Sequence, residues 1–212
     1  MSDIPVTKRS VIVLFSDSKC PKSHRVRLVA KEKDIPMEVV EVDADNLPED
    51  LLELNPYGTL PTLVDRELVL NDPQVMIEYL DERFPHPPLM SVDPISKARA
   101  RQMLRQIETE WYPLIETIAK SDDEKAVKTA RRNLQERLIQ LIPAFEHKDF
   151  FMSNDYSLVD VSMSVLLWRL PSLGIELPKS AKPIADYEKK VLNREMFMES
   201  LSDDEIDMRD LV

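Results

Sequence analysis

Three prolines within four residues, Pro85, Pro87 and Pro88, divide the chain into two parts with different hydrophobic patterns. Such a run cannot form α-helix, because proline lacks the amide hydrogen and its ring clashes with the preceding helical turn. Before this break, short apolar runs alternate with segments of helical spacing; after it, every long segment has helical spacing. We therefore predict two domains, residues 8–88 and 94–205, followed by an acidic flexible tail over residues 206–212.

The first part has the order β-α-β-α-β-β-α. A β-branched run at residues 11–15 predicts a buried strand, and Pro36 ends the helix that follows it. Alternation over residues 37–42 predicts a half-buried strand, and residues 47–54 form a short helix in this prediction. A hairpin at residues 61–70 and a helix at residues 75–84 complete an order typical of thioredoxin-like domains.

The second part is predicted to be all helical. A long helix over residues 96–120 should be interrupted near Pro113, and a second helix should cover residues 122–142. Residues 157–170 are strongly apolar and should form the central buried helix. Ser157 and Asp160 have the spacing of a capping box at its start. Two shorter helices are predicted at residues 181–192 and 194–201, and both tryptophans, Trp111 and Trp168, are expected in the core.

Charge and glycine content exclude several classes of function. The chain carries 39 acidic and 28 basic residues, a net charge of −11. Such a surface repels phosphates, so we expect no direct sequence-specific binding of nucleic acid. The acidity suits a protein that docks on a basic partner, but many soluble proteins are simply acidic, and the charge alone favours that reading. Only two glycines are present, which excludes the Gly-rich loops that bind nucleotides.

A single cysteine, Cys20, excludes an intrachain disulfide and a metal site built from several cysteines. We expect no metal site and no cofactor. The N-terminal apolar run is too short for a signal-peptide core, and no segment reaches the ~20 apolar residues of a membrane helix. The expected location is the cytoplasm, without membrane association.

The layout resembles the glutathione S-transferase fold, a thioredoxin-like N-terminal domain followed by a helical C-terminal domain. Leu60 and Pro61 precede the third strand, where that family has its cis-proline. Ser157 and Asp160 match the family's capping box on the buried helix, and the chain length fits. The fold class expected from this resemblance is therefore α/β plus all-α, with the glutathione S-transferase architecture.

Four segments resemble one branch of that superfamily more closely. They are Asn55-Pro56, the stretch at residues 61–68, the stretch at residues 78–90, and the stretch at residues 166–171. They are similar to the stringent starvation protein A family of bacterial RNA polymerase-associated proteins, over about residues 8–209. The resemblance implies a homodimer without catalytic residues that binds RNA polymerase holoenzyme, contacts the sigma factor, and regulates transcription in starvation or acid stress.

The resemblance also assigns a contact site to the proline-rich segment. From the residues alone, His86 between two prolines is an incidental part of a rigid domain linker. The resemblance instead places Pro85, His86, Pro87, Pro88 and Leu89 in the polymerase-binding site. Many relatives carry a tyrosine shortly after this segment, where this chain has Asp93, so the contact should differ in detail.

Asp72 and Pro73 argue against transferase activity. Transferases of the family hold the γ-glutamyl carboxylate of glutathione with a Glu/Gln-Ser pair at the start of the corresponding helix. Pro73 has neither the hydroxyl nor the amide hydrogen of that serine. Losing two hydrogen bonds to a charged group costs roughly 3 kcal/mol, or about a hundredfold in affinity. We therefore interpret Cys20, Leu60, Pro61, Asp72 and Pro73 as a vestigial glutathione site.

Cys20-Pro21 supports an alternative function. Omega-type and glutaredoxin-like members of the superfamily carry a Cys-Pro just before the first helix, where a helix N-terminus favours the thiolate. The usual second cysteine is absent, and Ser23 stands at its position. The alternative hypothesis is a glutathione-dependent thiol transferase or reductase that uses Cys20.

Overall fold

The computed structural model describes residues 11–210, which form two compact units. The first unit contains residues 11–87 together with Glu199–Glu205, and the second contains Pro88–Met198 together with residues 206–210. Residues 8–10 of the predicted first domain and residues 211–212 of the predicted tail lie outside the described residues.

A four-stranded mixed sheet forms the centre of the first unit. Its strands are β1 (Ile12–Ser16), β2 (Met37–Glu41), β3 (Thr62–Asp65) and β4 (Leu68–Leu70), in the order β2-β1-β3-β4. β1 is buried at every residue, pairs with β2 in parallel and pairs with β3 antiparallel. Arg66 has a φ of 59° in the turn between β3 and β4. The predicted strands, including the hairpin, are all present.

Three helices complete the first unit: α1 (Pro21–Glu32), α2 (Glu49–Leu54) and α3 (Pro73–Arg83). α1 and α3 each begin with a proline at the first helical position, where its missing amide hydrogen has no intrahelical role. α3 ends just before Pro85, as the backbone restriction ahead of proline favours. Val13, Phe15 and Val64 of the sheet pack with Val42 and Leu51 in a buried cluster. The unit is thioredoxin-like, as predicted.

The second unit is helical, as predicted. The predicted long first helix consists of two α-helices joined by a π-helical turn at Ile107–Trp111, directly before Pro113. Because Pro113 has no amide hydrogen to donate, the regular hydrogen-bond ladder is interrupted there. The α-helices of this part of the chain are α4 (Pro94–Gln106), α5 (Tyr112–Lys120), α6 (Glu124–Gln140), α7 (Leu158–Arg169), α8 (Lys182–Leu192), α9 (Glu195–Ser200) and α10 (Asp203–Asp210), with 3-10 turns at Ile142–Phe145 and Lys179–Ala181.

α7 is the central helix of the second unit, and all of its residues are buried. The predicted capping box is present: the Ser157 amide donates to Asp160 Oδ2 over 2.9 Å. The buried Asp160 carboxylate also accepts from the Phe151 amide over 2.8 Å and the Tyr187 hydroxyl over 2.7 Å. Burial raises the pKa of Asp160, and these hydrogen bonds oppose that rise. Through these hydrogen bonds, Asp160 connects the loop before α7 to the start of α7 and to α8.

Both tryptophans lie in the core, as predicted, with Trp111 1% exposed and Trp168 7% exposed. No helix within residues 11–210 combines the length and hydropathy that spanning a membrane requires. The overall class is the glutathione S-transferase fold predicted from the sequence, with a thioredoxin-like first part and a helical second part.

The C-terminal residues differ from their predicted state. We expected a flexible acidic tail over residues 206–212, yet α10 continues to Asp210. A reciprocal cap explains its start: the Ser202 amide donates to Glu205 Oε2 over 3.1 Å, and the Glu205 amide donates to Ser202 Oγ over 3.3 Å. Near its end, the Arg209 side chain donates to Glu188 over 2.7 Å and to the Trp168 carbonyl over 3.2 Å.

Candidate functional site

Pro85, His86 and Pro87 are exposed at the end of the first unit. The His86–Pro87 peptide bond is cis. The buried Lys33 ammonium donates to the Pro87 carbonyl over 2.6 Å and to Asp81 Oδ1 over 2.7 Å. A buried charge with two strong acceptors holds the backbone of this segment in place, while the His86 ring stays exposed to solvent.

Pro88 and Leu89 begin the second unit and differ in their exposure to solvent. Pro88 is exposed, but the Leu89 side chain is only 3% exposed. The Leu89 carbonyl accepts from the amide of Leu158, the first residue of α7, over 2.9 Å. Leu89 is thus a core residue, which corrects its prediction as a contact residue, because a buried side chain offers a protein partner almost no surface.

Asp93 is the N-cap residue of α4. Its carboxylate accepts from the Ser96 amide over 2.8 Å, and this hydrogen bond lowers the pKa of Asp93. The apolar neighbours Val92 and Ile95 are 92% and 65% exposed. The second unit therefore presents two apolar side chains beside a fixed negative charge within a few residues of Pro88.

The predicted glutathione-site residues share one end of the sheet in the first unit. Because β3 is antiparallel to β1, with Thr62 opposite Phe15, the start of β3 after Leu60 and Pro61 lies beside the end of β1, from which the chain leads to Cys20. Leu70 pairs with Leu63, so Asp72 and Pro73 follow from the same end. The Leu60–Pro61 bond is cis, and the turn before it is held by Asn55 Nδ2, which donates to Thr62 Oγ1 over 2.9 Å.

At the start of α3, the Asp72 carboxylate accepts hydrogen bonds from the backbone amides that could otherwise bind an anion. Asp72 Oδ1 accepts from the Gln74 amide over 2.8 Å and from the Val75 amide over 3.0 Å. Pro73, which precedes Gln74, has no amide hydrogen. An incoming carboxylate would therefore meet the negative Asp72 side chain and would find both remaining amides already bonded.

Cys20 is the N-cap residue of α1, and its side chain makes no capping hydrogen bond. Its amide donates to the Asp17 carbonyl over 3.3 Å, and its carbonyl accepts from the His24 amide over 3.0 Å. The thiol is half-buried. Within residues 11–210, no group of three or more histidine, cysteine or acidic side chains could hold a metal ion.

A buried polar cluster of the first unit was not predicted from the sequence. The Arg27 guanidinium donates to Glu205 Oε2 over 2.5 Å and to Ser16 Oγ over 2.6 Å. His24 Nδ1 lies 3.3 Å from Glu205 Oε1, and the His24 and Glu205 side chains are fully buried. The Ser202-x-x-Glu205 spacing of a capping box is the sequence signal that indicates an ordered segment here.

Family models match both parts of the chain. The glutathione S-transferase N-terminal domain matches residues 19–83, and the glutathione S-transferase C-terminal domain matches residues 103–195. Among solved structures, glutathione transferase Omega 3C from Trametes versicolor is similar with a TM-score of 0.81 and 21% identity, over 97% of this chain and 92% of that one. That similarity supports the fold.

Two curated relatives are much closer in sequence. The stringent starvation protein A homolog of Coxiella burnetii is 45% identical over 96% of this chain and 98% of its own length. The stringent starvation protein A homolog of Haemophilus influenzae is 45% identical over 93% of both chains. At this identity and coverage, the similarity extends through both units.

Proposed function

The chain belongs to the family of stringent starvation protein A homologues, and from this premise we propose that it is a non-enzymatic transcription regulator that binds RNA polymerase. It acts in the cytoplasm as a homodimer, contacts the sigma factor of the holoenzyme, and alters transcription in starvation or acid stress. The observation that carries this proposal is the 45% identity to family members over nearly the whole chain. The polymerase role is what the resemblance to that family implies.

The contact site in this proposal is the exposed segment at residues 85–88. Lys33 fixes the carbonyl of Pro87, and prolines restrict the backbone on both sides of His86. A segment that is rigid before binding loses little conformational entropy in a complex.

His86→Ala should weaken binding to RNA polymerase holoenzyme by roughly tenfold or more, as expected for a central contact residue. Biolayer interferometry on immobilised holoenzyme measures the dissociation constant. His147→Ala is the matched control, because His147 is also exposed but lies outside the proposed site. Equal affinities for His86→Ala and the wild-type protein, with unchanged circular dichroism, would rule out this contact site while leaving polymerase binding itself open.

The absence of transferase chemistry in this proposal rests on Asp72 and Pro73. The Asp72 carboxylate accepts from the amides of Gln74 and Val75 at the start of α3, and Pro73 offers neither a hydroxyl nor an amide hydrogen. A thiol transferase that uses Cys20 remains the alternative, because Cys20 is half-buried at the same end of the sheet as Pro61. Glutathione binding distinguishes the two functions.

The double variant Asp72→Gln, Pro73→Ser should gain glutathione affinity by up to about a hundredfold, because it restores two hydrogen bonds to the glutathione carboxylate. Isothermal titration calorimetry measures the affinity. Asp72→Gln, Pro73→Ala restores the amide but not the hydroxyl and should gain less. Tight glutathione binding by the wild-type protein, with no gain in either variant, would instead favour the enzyme.

A further inference from the structure

β2 lies at one edge of the sheet in the first unit, and one side of its backbone has no neighbouring strand. The strand order β2-β1-β3-β4 gives β2 a single partner, β1, with which it pairs in parallel. The Val42 amide, directly after β2, donates to the Ser16 carbonyl at the end of β1 over 2.9 Å. Backbone groups of successive residues in a strand point to opposite sides, so Val40 also faces β1, and the amides and carbonyls of Val39 and Glu41 face outward. In the part of the chain that the structure describes, no strand pairs with this outer side.

The outer side of β2 lacks the features that most often block a sheet edge. Natural proteins protect exposed edges with lysines, prolines or bulges. β2 contains neither lysine nor proline, and its residues pair with β1 in consecutive register, without a bulge. The Val39 side chain is 42% exposed, and Glu41 is exposed as well. These two side chains point to the same face of the sheet, beside the position that an added strand would take.

The charge around β2 determines which strand fits this edge. From Asp34 to Asp65 the chain holds nine acidic residues and no lysine, arginine or histidine. Three of these acids, Glu41, Asp43 and Asp45, are exposed at the end of β2 and just beyond it, and none forms an ion pair within 4.0 Å with a base that the structure describes. Like charges on neighbouring strands repel, whereas opposite charges stabilise the pairing. The edge therefore disfavours an acidic strand, including β2 of a second copy, and favours a basic one.

We propose that the outer edge of β2 binds an extended, basic segment of a partner protein, which adds a strand to the sheet. Backbone hydrogen bonds to Val39 and Glu41 supply the affinity, as in other cases where a peptide extends a sheet. An apolar side chain beside Val39 and a basic one beside Glu41 supply the specificity. This edge lies within the first unit and uses neither the contact site at residues 85–88 nor Cys20. Its occupation therefore succeeds or fails independently of the function proposed above.

A seven-residue peptide tests the proposal. The probe carries lysine, valine and lysine at alternate positions and threonine at the other four, so that the valine fits beside Val39 and a lysine beside Glu41. Fluorescence anisotropy of the labelled peptide with the full chain measures the dissociation constant. A peptide with glutamate in place of lysine, and a basic peptide with N-methylated backbone amides, should each bind at least about tenfold more weakly. No saturable binding of the basic peptide, or equal binding of its N-methylated form, would overturn the proposal.

Variants locate the edge. Val39→Pro removes an outward amide and should weaken peptide binding by roughly tenfold, whereas Val39→Thr keeps that amide and should change it little. Glu41→Lys should weaken binding by roughly tenfold, because it replaces an attraction with a repulsion. Glu67→Lys makes the same charge reversal in the exposed turn at the opposite end of the sheet, and should change the affinity by no more than about twofold.

Two results would contradict the assignment to this edge. Equal weakening by Glu41→Lys and Glu67→Lys would mean that the peptide senses only the net charge of the protein. Loss of self-association in Val39→Pro, measured by analytical ultracentrifugation beside Val39→Thr, would assign the edge to a second copy of the chain instead of a basic partner. Circular dichroism of each variant confirms that the fold is intact.

Discussion

Glu205→Ala should lower the free energy of unfolding by about 3–5 kcal/mol, the usual cost of removing one partner from a buried ion pair. The Arg27 side chain is 9% exposed, and its guanidinium donates to Glu205 over 2.5 Å. Without Glu205, the Arg27 guanidinium still donates to the Ser16 hydroxyl and the Ser200 carbonyl, but it has lost its negatively charged partner. The substitution also removes one of the two hydrogen bonds of the cap at the start of α10, the one from the Ser202 amide.

Urea denaturation followed by circular dichroism measures this loss as a shift of the midpoint. Asp207→Ala is the matched control: Asp207 is an exposed acid of the same helix, and its replacement should change stability by no more than about 0.5 kcal/mol. Glu205→Gln should fall between the two variants, because the amide keeps an acceptor but not the charge. A Glu205→Ala protein as stable as the control would mean that the Arg27 pair contributes nothing to folding.

The second large effect is expected from Asp160→Ala, at about 3–5 kcal/mol of unfolding free energy. The substitution deprives the Phe151 amide, the Ser157 amide and the Tyr187 hydroxyl of one shared acceptor. Each buried donor left without a partner costs about 1–3 kcal/mol.

Two substitutions calibrate this prediction. Asp160→Asn keeps one oxygen acceptor and should lose less stability than alanine. Tyr187→Phe removes a single hydrogen bond to a charged group and should cost roughly 1.5–3 kcal/mol. Thermal and urea unfolding rank the three proteins. If Asp160→Ala unfolds at the same urea concentration as Tyr187→Phe, the amides of Phe151 and Ser157 do not depend on this carboxylate.

Local signals explain why the fold could be predicted from the sequence. β1 forms from a continuous β-branched run. Pro36 and Pro73 each mark a helix boundary, and Pro113 marks the interruption of a helix. The capping box at Ser157 and Asp160 similarly places the start of α7. Each of these signals lies within a few residues of the structure it specifies, so one sequence is sufficient to read it.

The side-chain contacts that could not be predicted join residues far apart in the sequence. Arg27 and Glu205 are 178 residues apart, and Lys33 lies 54 residues before the Pro87 carbonyl that it binds. Nothing in the pattern around Lys33 distinguishes it from an exposed lysine at a helix end. The resemblance places Leu89 in the contact segment, whereas its side chain is buried. Such details follow from tertiary packing rather than from local pattern.

Binding to RNA polymerase is tested by size-exclusion chromatography of the wild-type protein with the polymerase core and with the holoenzyme. We expect co-elution with holoenzyme, and weaker or no co-elution with core, because the proposed contact includes the sigma factor. Failure to co-elute with holoenzyme at micromolar concentrations would contradict polymerase binding and would direct attention to glutathione and Cys20.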